Sequence, residues 1–588
     1  MIEGVYALPP ALVVWVAAAL AVLGRRVGTA AGSVACTLVA VWVATAPEGS
    51  RTTLSFLDLV VVAVAVDPVS RTVGLAFSTF GVVAIGYLAA TGADRRHLAI
   101  ALCYVGTAIW AAFVGDWLGL LIGWELMALA STLLVWLHGG AAVRVGFRYA
   151  LVHAIGGALL AAGLAAHVAV QGLSPDVLHY GDGISGGFAA LAVGLGVGVN
   201  AALLGVHVWL PDTYASPHVG ASVVLSAYTT KLAVYAAYRA FPDGNLLIAY
   251  VGGLMAVVGA GYALAQKDAR RLLAYHIQAQ VGYMLAGFGV GSALGIAGAF
   301  AHLFNNVLFK GLLFMVAGLV VLRAGTGSLD KSGRFGRSSP IVVVTFLVAA
   351  ASITAVPGTN GFVSKGMVLD AALEAGHAPL RWLLLVGAVG TIVSFCKFGY
   401  YAFVYGDDAT FADATPGQAL CMAPVAVACL GIGLWYAPFF ELLPASAEWS
   451  TDPYSQRHLL EKVALFGVGA VVFVVARPAL SRVNGGIDID VVRDPLVFYG
   501  TRHLANAIAS LFGVVASIDR SIRRRTVAVA RSPTAVISDR LPPALEQKYR
   551  ARGDEVAGTL NVDPDVVYRL VALGICLAAA FAIGVFVR

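Results

Sequence analysis

NAALLGVHVWLPDTYASPHVGASVVLSAYTTKLAVYAAYR, residues 200–239, joins two apolar runs through a polar break containing His207, Trp209, Pro211, Asp212 and Pro217. The second run holds a lone lysine, Lys231, among apolar and small residues. A lysine at mid-membrane depth costs roughly 2.5–3.5 kcal/mol on insertion scales, so its presence marks a functional position. Interrupted helices inside a bilayer are tolerated only where protein or a water-filled cavity satisfies the freed backbone groups. A break beside a buried charge is the pattern of a transport path.

The rest of the chain sets that stretch in a membrane. Of 588 residues, 59% are hydrophobic and only 12% charged, with a mean hydropathy of +0.84. That composition defines a polytopic integral membrane protein rather than a soluble domain with an anchor. The net charge of +6 is explained by loop arginines and argues against a nucleic-acid partner. Cys36, Cys103, Cys396, Cys421, Cys429 and Cys576 form no CxxC pair or iron–sulfur spacing and read as small core residues. With no glycine-rich nucleotide fingerprint, Walker-type loop or haem-attachment motif, no cofactor is expected.

Apolar runs long enough to span fall at roughly 8–24, 28–46, 72–90, 97–115, 117–137, 147–171, 187–209, 219–241, 245–265, 270–289, 292–323, 340–375, 379–405, 418–440, 461–477 and 564–587. They predict 15–16 helices, the first of them retained rather than cleaved as a signal. The stretch 51–70, interrupted by Asp58 and Asp67-Pro68, is too short to count and reads as an interfacial or hairpin segment. Basic clusters at Arg25-Arg26, Arg95-Arg96, Arg144/Arg148, Lys267/Arg270/Arg271 and Lys331/Arg334/Arg337 each follow an odd-numbered helix. Most loops between them are acidic or neutral, so the basic loops are expected in the cytoplasm and the N-terminus outside the cell membrane.

An internal repeat is also expected. A second break, at Ala355–Gly361, precedes a helix with Lys397, and both Lys231 and Lys397 open a Lys-x-x-x-Tyr-Ala sequence. Two five-helix units, each with a broken fourth helix, would lie inverted in the membrane because five is odd. The chain then divides into N-terminal helices (1–96), a first repeat (97–241), a second, inverted repeat (242–406) and C-terminal core helices (407–480). A polar, arginine-rich amphipathic segment (481–560) and a terminal transmembrane helix (561–588) follow, the former suited to a membrane surface or a partner subunit.

Ionisable residues inside the apolar runs are the candidates for chemistry. Glu125 in GWELMALAST must be paired, hydrated or protonated. Lys231, Lys310, Lys365 and Lys397 have stems long enough to reach an interface, least readily for Lys231 and Lys310 at mid-helix. His302, Asn306 and Lys310 recur every four residues and form one polar stripe, which suits a hydrated proton path. A lone histidine without a second ligand does not make a metal site, and none is expected. His276 and Gln280 form a smaller stripe, while His153 and His207 read as packing or capping residues.

Taken in order, GWELMALAS, HVWLPDTYASP, LSAYTTKLAVYAAYR, DARRLLAYHIQAQVGYM, HLFNNVLFKGLLFMVAG and PGTNGFVSK resemble one superfamily over residues 60–405. It is that of the antiporter-like proton-translocating subunits: the large membrane-arm subunits of respiratory complex I, the membrane-bound hydrogenases, and subunits A and D of Mrp-type cation/proton antiporters. The resemblance implies an all-α core of about fourteen transmembrane helices, with two inverted five-helix repeats containing broken helices and a polar mid-membrane axis. By motif, Glu125 matches the family's helix-5 glutamate, Lys231 its helix-8 lysine, Lys310 the lysine of its H-x-x-F-K motif, His302 the first histidine of that pattern, and Lys365 the ionisable residue after the second break. The chain departs from the family at Asn200, where a lysine is usual; at Asn306, where a second histidine is usual; and at Arg270 and Gly205, where lysine and proline are usual.

Proton movement is expected along Glu125, Lys231, His302, Lys310, Lys365 and Lys397, together with Asn200 and His276. Two charges about 4 Å apart interact by roughly 4 kcal/mol at an effective dielectric of 20, about three pKa units, enough to pass a proton from one group to the next. The expected protein is a subunit of a multisubunit Na⁺/H⁺ antiporter, surrounded by other membrane subunits and lipid. A proton-pumping arm of an NADH:quinone or hydrogenase complex, and a subunit of a two-component inorganic carbon uptake system, use the same motifs. As the pumping arm of a redox complex the chain would itself carry no cofactor, and it is expected to act as a transporter subunit, or as part of a translocating NADH:quinone oxidoreductase.

Overall fold

The computed structural model describes residues 6–480, apart from 57, 58, 173, 175, 182 and 335, together with residue 510. The amphipathic segment 481–560 and the terminal helix 561–588 therefore lie outside the described residues. A helical pair, α1 (Ala11–Ala21) and α2 (Arg25–Thr45), opens the chain. The interrupted stretch 51–70 folds as an antiparallel hairpin, β1 (Arg51–Phe56) and β2 (Leu59–Ala65), with a register shift at Thr52/Thr53. Then come α3 (Pro68–Ala90), α4 (Arg95–Phe113), α5 (Trp117–Trp136), α6 (Ala141–Gln171) and α7 (Gly187–Asn200).

The break follows as a 3-10 turn, His207–Trp209, and the short α8 (Leu210–Ala215). Next are α9 (Val219–Leu225), α10 (Thr229–Ala240), α11 (Leu246–Ala265), α12 (Ala269–Gly289) and α13 (Ala293–Ala324). The remaining helices are α14 (Pro340–Thr354), α15 (Asn360–Glu374), α16 (Ala378–Phe403), α17 (Pro416–Leu434), α18 (Tyr436–Glu441) and α19 (Gln456–Leu480).

Helix starts are set by local chemistry. The first N–H groups of a helix have no partner within it, and an acidic or hydroxyl side chain satisfies one or two of them. Asp67, Asp94, Asp116, Asn245, Asp268, Ser292 and Thr415 do so here, and proline occupies the first turn of α3, α14 and α17. Among the described residues eleven helices, counting α9 and α10 as one, are long and apolar enough to cross a membrane, and α1, α7 and α14 are shorter apolar helices. Of the fifteen hydropathy runs that fall within the described residues, four are not full-length spans: α1 is only 11 residues long, α7 and α14 end at breaks, and the polar residues of α12 lower its apolarity.

α13 is the centre of the bundle. Its 32 residues pack against α3, α9, α12, α14, α15 and α17, and nearly all of it up to Val320 is buried. Helices at the rim, such as α1, α2 and α19, instead turn Leu and Val side chains outward. Such a belt faces lipid or neighbouring subunits rather than water.

Candidate functional site

Three interruptions deliver backbone groups into the protein interior. The first, residues 201–206, separates α7 from the 3-10 turn and contains Ala202 and Gly205 at positive φ. Its freed groups are met from two sides: Gln278 of α12 donates to the Ala202 carbonyl at 3.2 Å, and the Trp209 indole donates to the Val199 carbonyl at 3.0 Å. The far end of the break is clamped by charge, with Asp212 paired to Arg148 at 3.4 Å and to Arg271. Arg270 donates to the Pro217 carbonyl at 2.8 Å. The arginine that replaces the usual lysine thus ties α12 to the break.

The second interruption lies inside the helix that sequence reading takes as continuous. α9 stops at Leu225 and α10 starts at Thr229, with Tyr104 accepting the Thr229 N–H at 3.0 Å. Lys231 sits immediately after it, fully buried, and its Nζ donates to the Ser226 carbonyl at 2.7 Å. The third interruption, between α14 and α15, places Ala355 and Gly358 at positive φ. The two helices approach so closely there that a Cβ on Gly361 would overlap the Ser352 carbonyl. Lys365 is buried beyond the break and donates to the Ile353 carbonyl at 2.6 Å, with its ammonium 4.7 Å from the Tyr283 ring centre. In both cases an ammonium satisfies a carbonyl that a broken helix has left without its N–H partner.

α13 carries the third lysine between them. Lys310 is fully buried and its Nζ has no hydrogen-bond partner. Its charge interacts with those of Lys231 and Lys365. Two turns earlier, His302 bridges neighbouring helices, Nε2 to Gln280 Oε1 at 3.1 Å and Nδ1 to Ser364 Oγ at 3.1 Å. Asn305 donates to the Asn360 carbonyl at 2.8 Å, linking α13 to the third break. Asn306 and His276 are buried with their side-chain polar atoms unpartnered. The structure thus brings Lys231, His276, His302, Lys310 and Lys365 into one interior row spanning α10, α12, α13 and α15. No carboxylate pairs with any of the three lysines among the described residues.

Three predicted residues stand apart from that row, the first being Asn200, buried at the end of α7 with its carboxamide unpartnered. Glu125 faces the outside of the bundle on α5, its carboxylate lying over Gly157 of α6. Lys397 is buried where α11 ends, donating to the carbonyls of Leu264 and Gln266 at 2.7 and 2.8 Å. It borders a cavity of about 190 Å³ that also exposes Lys267, Asp330, Tyr401 and Tyr405. The Lys-x-x-x-Tyr-Ala match pairs Lys231 with Lys397, whereas by local structure the counterpart of Lys231 is Lys365.

Sequence reasoning also missed a polar cluster beyond Lys365. His458 Nε2 lies 2.9 Å from the Asp370 carboxylate, Thr451 donates to it at 3.3 Å and Arg457 lies 3.6 Å away. Lys462, also buried, interacts with the Lys365 charge. No spacing signal links Asp370 to residues 81–92 positions away, so only the packing of α19 on the bundle reveals it.

The fold and this row define a polytopic helical membrane protein with basic residues at its core beside broken helices. A family model described as NADH:quinone oxidoreductase/Mrp antiporter, TM, matches residues 114–394. An uncharacterised protein of Methanocaldococcus jannaschii is 30% identical over 328 residues, 53% of this chain and 68% of that protein. An Na(+)/H(+) antiporter subunit of Alkalihalophilus pseudofirmus is 28% identical over 310 residues, 50% of this chain and 62% of that one. A chain of the Mrp complex from Dietzia sp. superposes with a TM-score of 0.66 at 20% identity, covering 82% of this chain and all of that one. The chain belongs to the NADH:quinone oxidoreductase/Mrp antiporter transmembrane family. Its matches span about half to two thirds of the length of the curated relatives.

Proposed function

We propose that this chain is the proton-translocating subunit of a multisubunit monovalent-cation/proton antiporter in the cell membrane, with Na⁺ as the exchanged cation. The observation that carries the reading is the row Lys231–Lys310–Lys365. Three ammonium-bearing side chains, buried without carboxylate partners, are costly to keep in a membrane protein that does not move charge. His302 and His276 supply further groups that take and release protons along the same row. The antiporter assignment draws on the likeness to a subunit of an Na⁺/H⁺ antiporter and to the Mrp complex. Basic loops lie in the cytoplasm on this reading, and the partners are other membrane subunits.

The test uses inverted vesicles containing the assembled complex and a pH-reporting dye. Lys310→Ala is expected to lower cation-driven proton movement at least about tenfold, as removal of a proton-transfer group does, with subunit assembly unchanged. Wild-type rates in that variant would overturn the proposal. The co-purified subunits test the antiporter assignment: small membrane subunits support it, and iron–sulfur proteins would move the chain to a redox-driven complex.

A further inference from the structure

The proton row just proposed stops at Lys231 and does not reach Glu125. Glu125 lies on the outer flank, Lys231 in the core, and α7 ends in Asn200, whose carboxamide does not titrate. We infer that His153 of α6, rather than any residue of α7, is the proton-carrying group that connects Glu125 with Lys231. The inference rests on the function proposed above and assigns a role that motif reading does not.

Three observations carry it. The imidazole is 1% exposed, yet neither ring nitrogen has a hydrogen-bond partner. It abuts the Asn200 carboxamide, whose nitrogen and oxygen are also buried and unpartnered, at a geometry short of a hydrogen bond. Buried polar groups are nearly always satisfied, and each one left alone costs about 1–3 kcal/mol. Two such side chains face to face make a polar site, where simple packing would be better served by an apolar residue.

The ring is also flanked by two aromatic side chains. It lies 4.0 Å from the Tyr149 ring and 4.7 Å from that of Trp209, centre to centre. Tyr149 is fixed by Ser131 at 2.8 Å, and Trp209 by its bond to the Val199 carbonyl.

Position supplies the third observation. One helical turn beyond His153, on the same face of α6, is Gly157, the residue over which Glu125 lies; residues four apart on a helix sit about 5–6 Å apart. In the other direction the Tyr149 hydroxyl interacts with Thr229, two residues before Lys231. The titratable group in contact with His153 is Tyr149 on its own helix, with Tyr104 and Tyr214 beyond it; Glu125 is reached one turn along α6 and Lys231 two residues past Thr229.

The chemistry is balanced within the ring. A proton arriving from the Glu125 side binds one ring nitrogen, and the proton on the other nitrogen leaves toward Lys231. The imidazole ends neutral with its tautomer exchanged, and rotation of the ring restores it. Asn200 donates and accepts hydrogen bonds without gaining charge, so it orients the transfer.

The experiment reads proton movement in vesicles of the assembled complex, with Lys310→Ala as the inactive control. His153→Gln, which keeps hydrogen-bonding capacity but cannot titrate near neutrality, is expected to lower the rate at least about tenfold. His153→Gln combined with Asn200→Lys returns a titratable group to the same site and is expected to restore most of the rate. Two results overturn the inference while leaving the proposed function standing, given an inactive control: wild-type rates in His153→Gln, or an inactive His153→Gln that Asn200→Lys does not rescue. Wild-type rates in the control itself instead overturn the proposed function and this inference with it.

Discussion

Lys310 is the residue whose surroundings differ most from those of an ordinary buried lysine, because its ammonium meets neither a carbonyl nor a carboxylate. It was legible in the sequence, as were Lys231 and Lys365, because a charge in an apolar run is rare and costly. His153 was not legible, since nothing in its local sequence distinguishes a packing histidine from one beside an unpartnered carboxamide 47 residues later. Glu125 was legible as ionisable but not as outward-facing, because α5 is apolar on every side and gives no sign of which face points inward. Its resting place yields a prediction. Gly157→Ala adds a Cβ where the Glu125 carboxylate lies, and that flexible carboxylate can swing away. Helix propensity favours alanine by up to about 1 kcal/mol, so folding is unharmed. If Glu125 feeds the path inferred through His153, Gly157→Ala and Glu125→Gln are both expected to lower the rate at normal protein levels, checked by comparing the two in the same vesicles.

Among the elements, proline and glycine announced the first and third breaks, whereas the second, at Ser226–Tyr228, carries neither residue. It exists because partners compete with the helical ladder: Ser226 Oγ bonds the Val223 carbonyl, Tyr104 takes the Thr229 N–H, and Lys231 takes the Ser226 carbonyl. Two of these three partnerships are local and one arrives from α4, so tertiary contact decides what propensity leaves open.

The β-hairpin was foreseen as one of two alternatives and is anchored in part by Asp116. Asp116 accepts from the Val62 N–H at 2.6 Å and from Gly119 at 2.7 Å, at the mouth of α5. Burial pushes the Asp116 carboxyl above its usual 3.8, outweighing these donors and the nearby His179. With the folded value raised, the folded state holds its proton more tightly than the unfolded one. The contribution to stability is therefore full below about 3.8 and declines as pH rises through the folded value. Hydrogen exchange at Val62, corrected for its intrinsic rate, should show the junction loosening over that window. Asp116→Asn should remove the pH dependence, and Asp116→Ala should loosen the junction at every pH by stranding two buried N–H groups at about 1–3 kcal/mol each.

For the molecule as a whole, composition and hydropathy were enough to read a polytopic helical membrane protein, and six ordered motifs were enough to read its family. The number of spans was less legible, because hydropathy treats a broken helix and a whole one alike. The loops group by charge: Lys267 pairs with Asp330 at 2.9 Å on the basic side, whereas Gly244 lies in a loop next to Asp243. If the basic loops are cytoplasmic, a cysteine replacing the exposed Asp243 should react with a membrane-impermeant thiol reagent in intact cells, and one at Ser328 only after the cells are opened. The reverse pattern would invert the topology.

The two capped breaks have a consequence for the whole bundle. A charge-assisted hydrogen bond is roughly twice as strong as a neutral one, so a lysine that loses its proton loosens its hold on the carbonyl of the broken helix. If the difference is near 1.4 kcal/mol, it corresponds to about a tenfold shift between two backbone arrangements. On the function proposed above, the backbone at Ser226 and Ile353 would register whether the lysine that caps it holds its proton.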